Sequence, residues 1–377
     1  MKEKFQQYLY KLIELEGSDL HLKAGSKVHI RVNGELHTLT ENTLNNEDLL
    51  SIAEVILSTP QYNALLEHKE LDCSYNLENN KRFRVNFFYQ VHGLSIVLRI
   101  IPEDILSIDA LHLPKIVKKL ADLNHGLVLV TGTSGSGKST TLAAIIDRIN
   151  KTKRKHIICI EDPVEYIHTE DKCLISQRSV GTNTHSFANG LRSALREDID
   201  IVFIGELRDL ETVEIALHAA NTGHLVVSTL HTLDAKETIS RILAMFPKEE
   251  QSRVRMTLSF LLEGVISQRL VTTKENERMP AVEVMLKTKR ISELIAENRD
   301  EEILESIEKG KEIYGSQSFD QSLFELYTQN KITKSVALRN ATNPSDMSLL
   351  FQGIKKGTGY ENVRNIKQTK RSAFELK

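Results

Sequence analysis

A glycine-rich stretch at residues 132–139 is the part of the sequence whose residue types and spacing most clearly indicate a chemistry. Its letters follow the pattern G-x-x-x-x-G-K-S, between an apolar run at 127–130 and an apolar helical pattern at 141–146. Strand, glycine-rich turn and helix form the context in which this pattern binds phosphate. Glycines let main-chain N–H groups converge on one anion, and the helix presents its positive end to that anion.

The end of this stretch supplies charge and a hydroxyl. Lys138 would place a positive charge at the β- and γ-phosphates, and Ser139 would offer its hydroxyl to Mg²⁺. We therefore predict a nucleoside triphosphate site, and its predicted contacts are Gly132, Thr133, Ser134, Gly135, Ser136, Gly137, Lys138, Ser139 and Thr140.

Three acidic residues, Glu161, Asp162 and Glu165, follow a second apolar strand at 157–160. Open parallel sheets form their sites at the carboxyl ends of strands, so these carboxylates are placed to reach a metal ion or a water. Solvated loop acids are the alternative. Hydrolysis of a triphosphate needs a group that orients water, and Glu165, which lies beyond a proline, could point back at the nucleotide.

A third apolar strand at 201–205 ends in one acid, Glu206. The arrangement is like a Walker B strand, although Gly205 stands where an aspartate is usual. Glu206 would then orient Mg²⁺ through water. Asp198 and Asp200 lie at the other end of this strand, so they are poor candidates for metal binding despite their charge.

Two histidines, His224 and His231, flank a fourth apolar strand at 225–229. Metal ligation and satisfied structural histidines are the alternatives at both positions. The sharper hypothesis is that His231, at the carboxyl end, senses the γ-phosphate and links the site to a neighbouring element. His224 would lie near the opposite end of the strand, at a subunit contact.

Arginines at 82, 84 and 99 lie on predicted strands of the first hundred residues. Arginines on an exposed strand face are usually solvated, which is the simpler interpretation. The functional hypothesis is a charge clamp that meets the γ-phosphate when two domains close, because a guanidinium stabilises charge strongly in phosphoryl transfer.

Bulk composition limits the classes of protein. The chain has 377 residues, which is enough for two domains, and it is 40% hydrophobic and 27% charged. Its net charge of -2 argues against a polycationic nucleic-acid binder. Cys73, Cys159 and Cys173 are widely spaced, so neither a disulfide scaffold nor a four-cysteine zinc module is expected. No run approaches 18 apolar residues and the first residues lack a signal-peptide core, so we expect a cytoplasmic chain without a transmembrane segment.

The pattern along the chain predicts an α/β protein with two domains. Residues 1–101 combine helical periodicity with alternating strands, which indicates a small α+β domain with an antiparallel sheet and a two-residue hairpin turn at 33–34. Residues 102–123 are the predicted linker. Residues 124–354 alternate strands and helices as in a parallel sheet, with later helices predicted at 238–269, 290–309 and 318–330. Residues 355–377 are a basic tail, predicted to be flexible.

Taken together, these stretches resemble the type IV pilus retraction (twitching motility) ATPases of the secretion ATPase superfamily. The resemblance covers roughly residues 5–354. Four ordered stretches carry it: the Walker A motif at 132–139, the Asp box at 161–168, the Walker B motif at 205–209 and the His box at 222–232.

The resemblance implies a PAS-like N-terminal domain and a RecA-like P-loop ATPase core. It implies a homo-hexamer with nucleotide between the two domains, using ATP and Mg²⁺. The ring would be cytoplasmic and peripheral to the inner membrane, where it would act on a pilus platform protein. By position, the resemblance makes Glu165 the catalytic glutamate and Glu206 the Walker B glutamate that places Mg²⁺ with Ser139. His224 and His231 match the His-box pair at the nucleotide, and Arg84 and Arg99 match arginines that reach the phosphates.

Departures from the family pattern keep other functions open. The retraction motor carries an Ala-Ile-Arg-Asn-Leu motif, of which residues 290–295 keep only the apolar positions. Residues 318–321 and the basic tail look more like the accessory retraction ATPase, which contributes little hydrolysis and pairs with a paralogous motor. Pilus-extension and type II secretion relatives usually carry a four-cysteine zinc element, which is absent here. A nucleic-acid translocase is disfavoured by the near-zero net charge.

Overall fold

The computed structural model describes residues 1–32, 34–77, 81–101 and 104–353. The chain divides into two compact units. The first comprises Met1–Ile105, Cys159–Glu170 and Ile175–Gly190, and the second comprises Leu106–Ile158, Asp171–Leu174 and the described residues after Gly190. The predicted basic tail at 355–377, Asn33 of the predicted hairpin turn and Pro102 of the predicted linker lie outside the described residues.

The first unit is built on an antiparallel sheet with three helices before its fourth strand. Its described strands are β1 (Asp19–Lys23), β2 (Ser26–Val32), β3 (Glu35–Leu44), β4 (Glu70–Asn76), β5 (Arg82–Gln90) and β6 (Gly93–Ile101), in the order β3-β2-β1-β6-β5-β4. Its helices are α1 (Lys2–Glu14), α2 (Asn46–Ile56) and α3 (Thr59–His68).

Alternation along β5 explains how this sheet presents two faces. Phe83, Val85 and Phe87 are fully buried in one apolar core with the buried side of α1. The residues between them point to the opposite face because successive strand side chains alternate. Arg84 lies on that face, directly opposite Arg99 in the β5–β6 register. The sequence missed β3, whose ten residues are mostly exposed and lack an alternating apolar pattern.

A second sheet holds the strands that follow residue 123. In the described chain its order is β13-β12-β7-β11-β10-β8-β9. The strands are β7 (Gly126–Thr131), β8 (His156–Glu161), β9 (Leu174–Ser179), β10 (Ile201–Ile204), β11 (Leu225–Leu230), β12 (Leu262–Thr272) and β13 (Arg278–Leu286). The helices are α4 (Ile116–Ala121), α5 (Lys138–Thr152), α6 (Phe187–Ala194), α7 (Leu210–Asn221), α8 (Ala235–Ala244), α9 (Lys248–Leu261), α10 (Lys289–Ala296), α11 (Ile303–Lys309), α12 (Lys311–Tyr314), α13 (Phe319–Thr328), α14 (Lys334–Asn340) and α15 (Pro344–Phe351).

Parallel pairing places the carboxyl ends of the central strands side by side. β10 pairs with β11, β11 with β7, and β7 with β12, all in parallel. Every residue of β7, β10 and β11 is buried, so both faces of these three strands are covered, as in a parallel sheet with helices on its two sides. The mixed α/β fold with a parallel sheet predicted from the sequence is confirmed.

The predicted helix at 238–269 is wrong over its last quarter, residues 262–269. The structure has two helices, α8 and α9, and then β12, which pairs with β7 and also with β13 in antiparallel fashion. Gly264 lies where the backbone approaches α4, since a Cβ there would stand 2.7 Å from Leu120 Cδ2. The apolar residues within 262–266 fit a helical pattern and a buried-strand pattern equally well. Only pairing with the neighbouring strands determines that this segment is a strand. A 3-10 turn at Asp300–Glu302 likewise interrupts the predicted helix at 290–309.

A buried carboxyl group on β13 holds the start of α8. Glu283 is 3% exposed, and its Oε1 accepts a hydrogen bond from the Ala235 main-chain N–H at 3.0 Å. Burial raises the pKa of Glu283 to about 7. Because the unfolded chain ionises this carboxyl at lower pH than the folded chain, its contribution to stability is complete in acid. That contribution is lost as pH rises through about 7.

We therefore expect the Glu283→Gln variant to gain stability relative to the wild type as pH rises. Gln keeps an oxygen for Ala235 and never ionises, so the melting temperature of the variant should exceed that of the wild type at about pH 8, and the gain should shrink or reverse at about pH 5. Thermal unfolding of both proteins checks this. Glu249→Gln, an exposed residue of α9, should show no such pH-dependent difference. An equal melting-temperature difference at both pH values would contradict the assignment.

Candidate nucleotide site

The 132–139 loop joins β7 to α5, and its backbone conformation requires glycine. Gly132, Gly135 and Gly137 have φ values of +142°, +76° and +90°, in the region that favours glycine. A Cβ at Gly132 would lie 2.5 Å from both the Gln268 carbonyl oxygen and Ser136 Oγ. The loop therefore forms a tight main-chain turn at the N-terminus of a 15-residue helix, where unpaired N–H groups favour an anion.

Two side chains, those of Lys138 and Ser136, make this turn suitable for binding a phosphate group. Lys138 Nζ donates to the carbonyl oxygens of Gly132 and Thr133 at 2.8 and 3.0 Å, which holds the ammonium group over the loop. Ser136 Oγ is buried, and no hydrogen-bond partner is found for it among the described residues. A buried hydroxyl without a partner is costly, and a phosphate oxygen on the loop would satisfy it.

Lys138, His231 and Glu206 come together beside this loop. His231 Nδ1 lies 3.4 Å from Lys138 Nζ, and His231 Nε2 lies 3.5 Å from Glu206 Oε1. The other carboxylate oxygen of Glu206 accepts from Arg208 Nε at 2.7 Å. These residues follow β10 and β11, so parallel pairing with β7 explains their meeting. Ser139, the second residue of α5, and Glu206 are oxygen donors of the kind that Mg²⁺ prefers.

His224 lies at the opposite edge of the same sheet. It directly precedes β11, and its carbonyl oxygen accepts from the N–H of Gly126, the first residue of β7. Its ring Nδ1 lies 3.0 Å from the carbonyl oxygen of Ala219. His224 is therefore not among the residues that meet at the 132–139 loop in this chain, and its predicted role in nucleotide binding stays a prediction. Asp200, also at this edge, pairs with Lys155 at 2.6 Å.

Glu165 belongs to the first unit, where it meets an arginine. Arg84 Nη1 lies 3.6 Å from Glu165 Oε1, and both side chains are partly exposed. Arg99 instead donates through Nε to Asp19 Oδ1 at 2.7 Å, while most of its side chain is exposed. The sequence offered both arginines as phosphate contacts, but it gave no sign that each faces a carboxylate.

Arg82 is the deeper of the strand arginines. Its Nη2 donates to Ser74 Oγ at 2.9 Å, and its buried Nε has no partner among the described residues. Burial lowers the pKa of Arg82, and the charge of Glu161 counteracts this. Burial also raises the pKa of Glu161 to about 7. The half-buried Arg82 and the carboxyl group of Glu161, at the start of the segment that carries Glu165, therefore influence each other's ionisation.

Two residues of the first unit that contact predicted site residues or their segment lie outside every predicted motif position. Gln177 of β9 contacts the 161–168 segment through its carboxamide, and Asp19 fixes Arg99. Neither has a sequence signal, because each is brought to its partner only by strand pairing.

Among the described residues, no group of three or more His, Cys, Asp or Glu side chains could hold a metal ion. The three cysteines are buried and free.

A family model described as "Type II/IV secretion system protein" matches residues 1–358. This chain belongs to that family. The match spans both sheets, and it confirms the resemblance that the ordered motifs indicated.

Named relatives fall in the same family. The chain is 42% identical over 329 residues to the Pseudomonas aeruginosa "Type IV pilus retractation ATPase PilT", covering 87% of this chain and 95% of that protein. It is 42% identical over 320 residues to a Neisseria gonorrhoeae "Twitching motility protein", covering 85% of each. It is 38% identical over 349 residues to the P. aeruginosa "Type IV pilus ATPase PilU", covering 92% of this chain and 91% of that protein.

One solved structure of a relative extends this likeness to the fold. A crystal structure described as the pilus retraction motor PilT with bound ADP superposes with a TM-score of 0.83 at 43% identity, covering 89% of this chain and 96% of that one.

In the described part of this chain, no helix combines the length and apolar composition that crossing a membrane requires.

Proposed function

We propose that this chain is an ATP-hydrolysing motor that drives type IV pilus retraction, the basis of twitching motility. The observation that carries the proposal is 42% identity over 95% of the length of a pilus retractation ATPase. The glycine turn, the buried Ser136 hydroxyl and the Lys138–His231–Glu206 group support the nucleotide part of it. The reaction would be hydrolysis of ATP to ADP and phosphate.

Within this proposal the loop and the residues beside it bind the triphosphate. Residues 132–140 hold phosphate oxygens through main-chain N–H groups and the Ser136 hydroxyl, and Lys138 leaves the loop carbonyls to pair with the β- and γ-phosphates. Ser139 and Glu206 would hold Mg²⁺, which supplies positive charge at the phosphates when bound. His231 can report the γ-phosphate because its ring stands between Lys138 and Glu206.

Glu165 would activate the attacking water in this proposal, and arginines would stabilise charge. The Glu165 side chain is partly exposed, so a water molecule can reach its carboxylate and give up a proton to it. Arg84 Nη1, 3.6 Å from Glu165 Oε1, would keep that oxygen oriented. Arg84 and Arg99 supply guanidinium groups on one sheet face, of the kind that stabilises charge in phosphoryl transfer.

The assembly implied by the family completes the proposal. Residues 1–101 would form a PAS-like domain, 102–123 a linker and 124–354 a RecA-like core. Six copies would form a ring that acts on a platform protein at the cytoplasmic face of the inner membrane. His224, at the edge of the sheet away from the loop, would then serve at a contact between copies.

A second candidate is an accessory retraction subunit with little hydrolysis of its own. The sequence of α10 favours it, because Ser292 and Glu293 replace the polar letters of the motor's motif. A secretion or pilus-assembly ATPase is a weaker alternative, because the relatives named as type II secretion proteins are matched over about half of their length or less.

Steady-state ATP hydrolysis by the purified chain separates these candidates. We expect the chain alone to turn over ATP at about 0.1–10 per second, with no requirement for a second ATPase, because the parts that phosphoryl transfer needs are present in its own sequence. The assay is run with and without a retraction ATPase from the same cells. Hydrolysis that is absent alone and appears only on mixing would instead support the accessory subunit.

A further inference from the structure

Gln177 of β9 bonds to the segment that carries Glu165 at several points. Its Nε2 donates to the Tyr166 carbonyl oxygen at 2.7 Å and to Glu161 Oε1 at 3.4 Å. Its Oε1 accepts from the His168 main-chain N–H at 2.9 Å. One carboxamide therefore uses both its donor and its acceptor on residues that lie before and after Glu165.

Glu161, which accepts a hydrogen bond from Gln177, also holds the main chain of Glu165. Glu161 Oε2 accepts from the Glu165 N–H at 3.4 Å, so the carboxyl group that receives a bond from Gln177 also receives one from Glu165. Ser179, two residues along β9, accepts from the Val164 N–H at 3.4 Å. The turn from 161 to 168 is thus hydrogen-bonded to β9 on both sides of Glu165. Residues 164–168 lie in neither a helix nor a strand, so no regular main-chain hydrogen bonds would replace those bonds.

We propose that Gln177 is a positioning residue that acts through the 161–168 turn to aim the Glu165 carboxylate. The inference rests on the proposed function, in which Glu165 activates water. Loss of the Gln177 carboxamide would leave the Tyr166 carbonyl and His168 N–H without this partner and would loosen the main chain on either side of Glu165. A general base must lie within hydrogen-bond reach of the water, so a small displacement lowers the rate of the chemical step.

The charges around Glu161 add a second signature. Burial raises the pKa of Glu161 to about 7, the charge of Glu165 adds to the rise, and the bonds from Gln177 and the Glu165 N–H and the charge of Arg82 counteract it. Buried Cys159 lies beside it on β8, and the negative charge of Glu161 contributes to raising the pKa of that thiol. The ionised carboxylate accepts the Glu165 and Gln177 bonds more strongly, so kcat should rise with pH through about 7. Removing the Gln177 donor should move that rise to higher pH.

The test compares Gln177→Ala and the isosteric Gln177→Glu with the wild type as full-length protein. We expect kcat for ATP hydrolysis to fall about 10- to 100-fold in both variants, while KM for ATP and the affinity for a fluorescent ADP analogue change by less than about 2-fold. Hydrogen exchange at the 161–168 main chain should become faster. Gln251→Ala is the matched control, since its amide donates to the Phe246 carbonyl oxygen in the second unit at 3.1 Å, and it should leave kcat unchanged.

A double variant separates positioning from folding. If Gln177 acts only through Glu165, adding Gln177→Ala to Glu165→Gln should lower kcat no further. Full kcat in both Gln177 variants, or a fall in ADP affinity that matches the fall in kcat, would overturn the inference. Failure of the wild type to hydrolyse ATP would instead overturn the proposed function, so the two failures are distinguishable.

Discussion

Replacing Lys138 by Ala is expected to lower ATP turnover at least about 100-fold, because the loop would lose the positive charge that we propose pairs with the β- and γ-phosphates. In the structure the ammonium group is held by the carbonyl oxygens of Gly132 and Thr133 at 2.8 and 3.0 Å. It is therefore already oriented over the loop. Turnover and binding of a fluorescent ATP analogue are measured together, and both should be lost. Glu206→Ala should also remove turnover, because Mg²⁺ would lose an oxygen partner.

The control for Lys138→Ala lies on the same helix. Lys151, near the other end of α5, pairs with Asp147 at 2.8 Å and is largely exposed, so Lys151→Ala removes an equal charge without approaching the loop. We expect that variant to bind and hydrolyse ATP as the wild type does. Melting temperatures of both variants should stay near that of the wild type. Normal turnover in well-folded Lys138→Ala protein would contradict the assignment of the loop.

Replacing Glu165 by Gln is expected to lower kcat about 100-fold or more while ATP binding is retained, because the variant keeps the shape of the side chain but cannot accept the proton of the attacking water. The Arg84 guanidinium, 3.6 Å from Glu165 Oε1 in the wild type, would lose its charge partner, which costs little at a partly exposed pair. Single-turnover kinetics separate the binding step from the chemical step.

Glu170→Gln is the matched control for this substitution. Glu170 lies two residues beyond the 161–168 segment and is exposed, and its Oε1 accepts from the Ile175 main-chain N–H at 2.9 Å. That bond survives in Gln, so kcat should not change. A Glu165→Gln protein with wild-type kcat would move the role of general base to another carboxylate, such as that of Asp162 in the same turn.

Local patterns in the sequence were enough to predict the strands and helices that surround the short, contiguous parts of the candidate site. The 132–139 pattern demands a strand before it and a helix after it, and β7 and α5 stand there. Glu206 and His231 follow apolar strands, and parallel pairing alone brings them to one edge. In these cases the chemistry lies within a few residues of the element that positions it.

Contacts between distant strands were not predictable from the sequence. Gln177 lies on a half-buried strand with no motif, and Asp19 lies 80 residues from Arg99. Residues 262–269 were assigned to a helix because their apolar content suits both a helix and a buried strand, and pairing with β7 and β13 makes them part of a strand. Each of these outcomes depends on a partner far away in the chain, which periodicity within one window does not report.

The most direct test of the central claim is pilus retraction measured by fluorescence in living cells that lack this gene alone. We expect retraction events to be lost in these cells and to be restored by the wild-type gene. The Glu165→Gln gene, expressed at the same level, should not restore them. Retraction at the normal frequency and speed in the cells without the gene, or full restoration by Glu165→Gln, would contradict that claim.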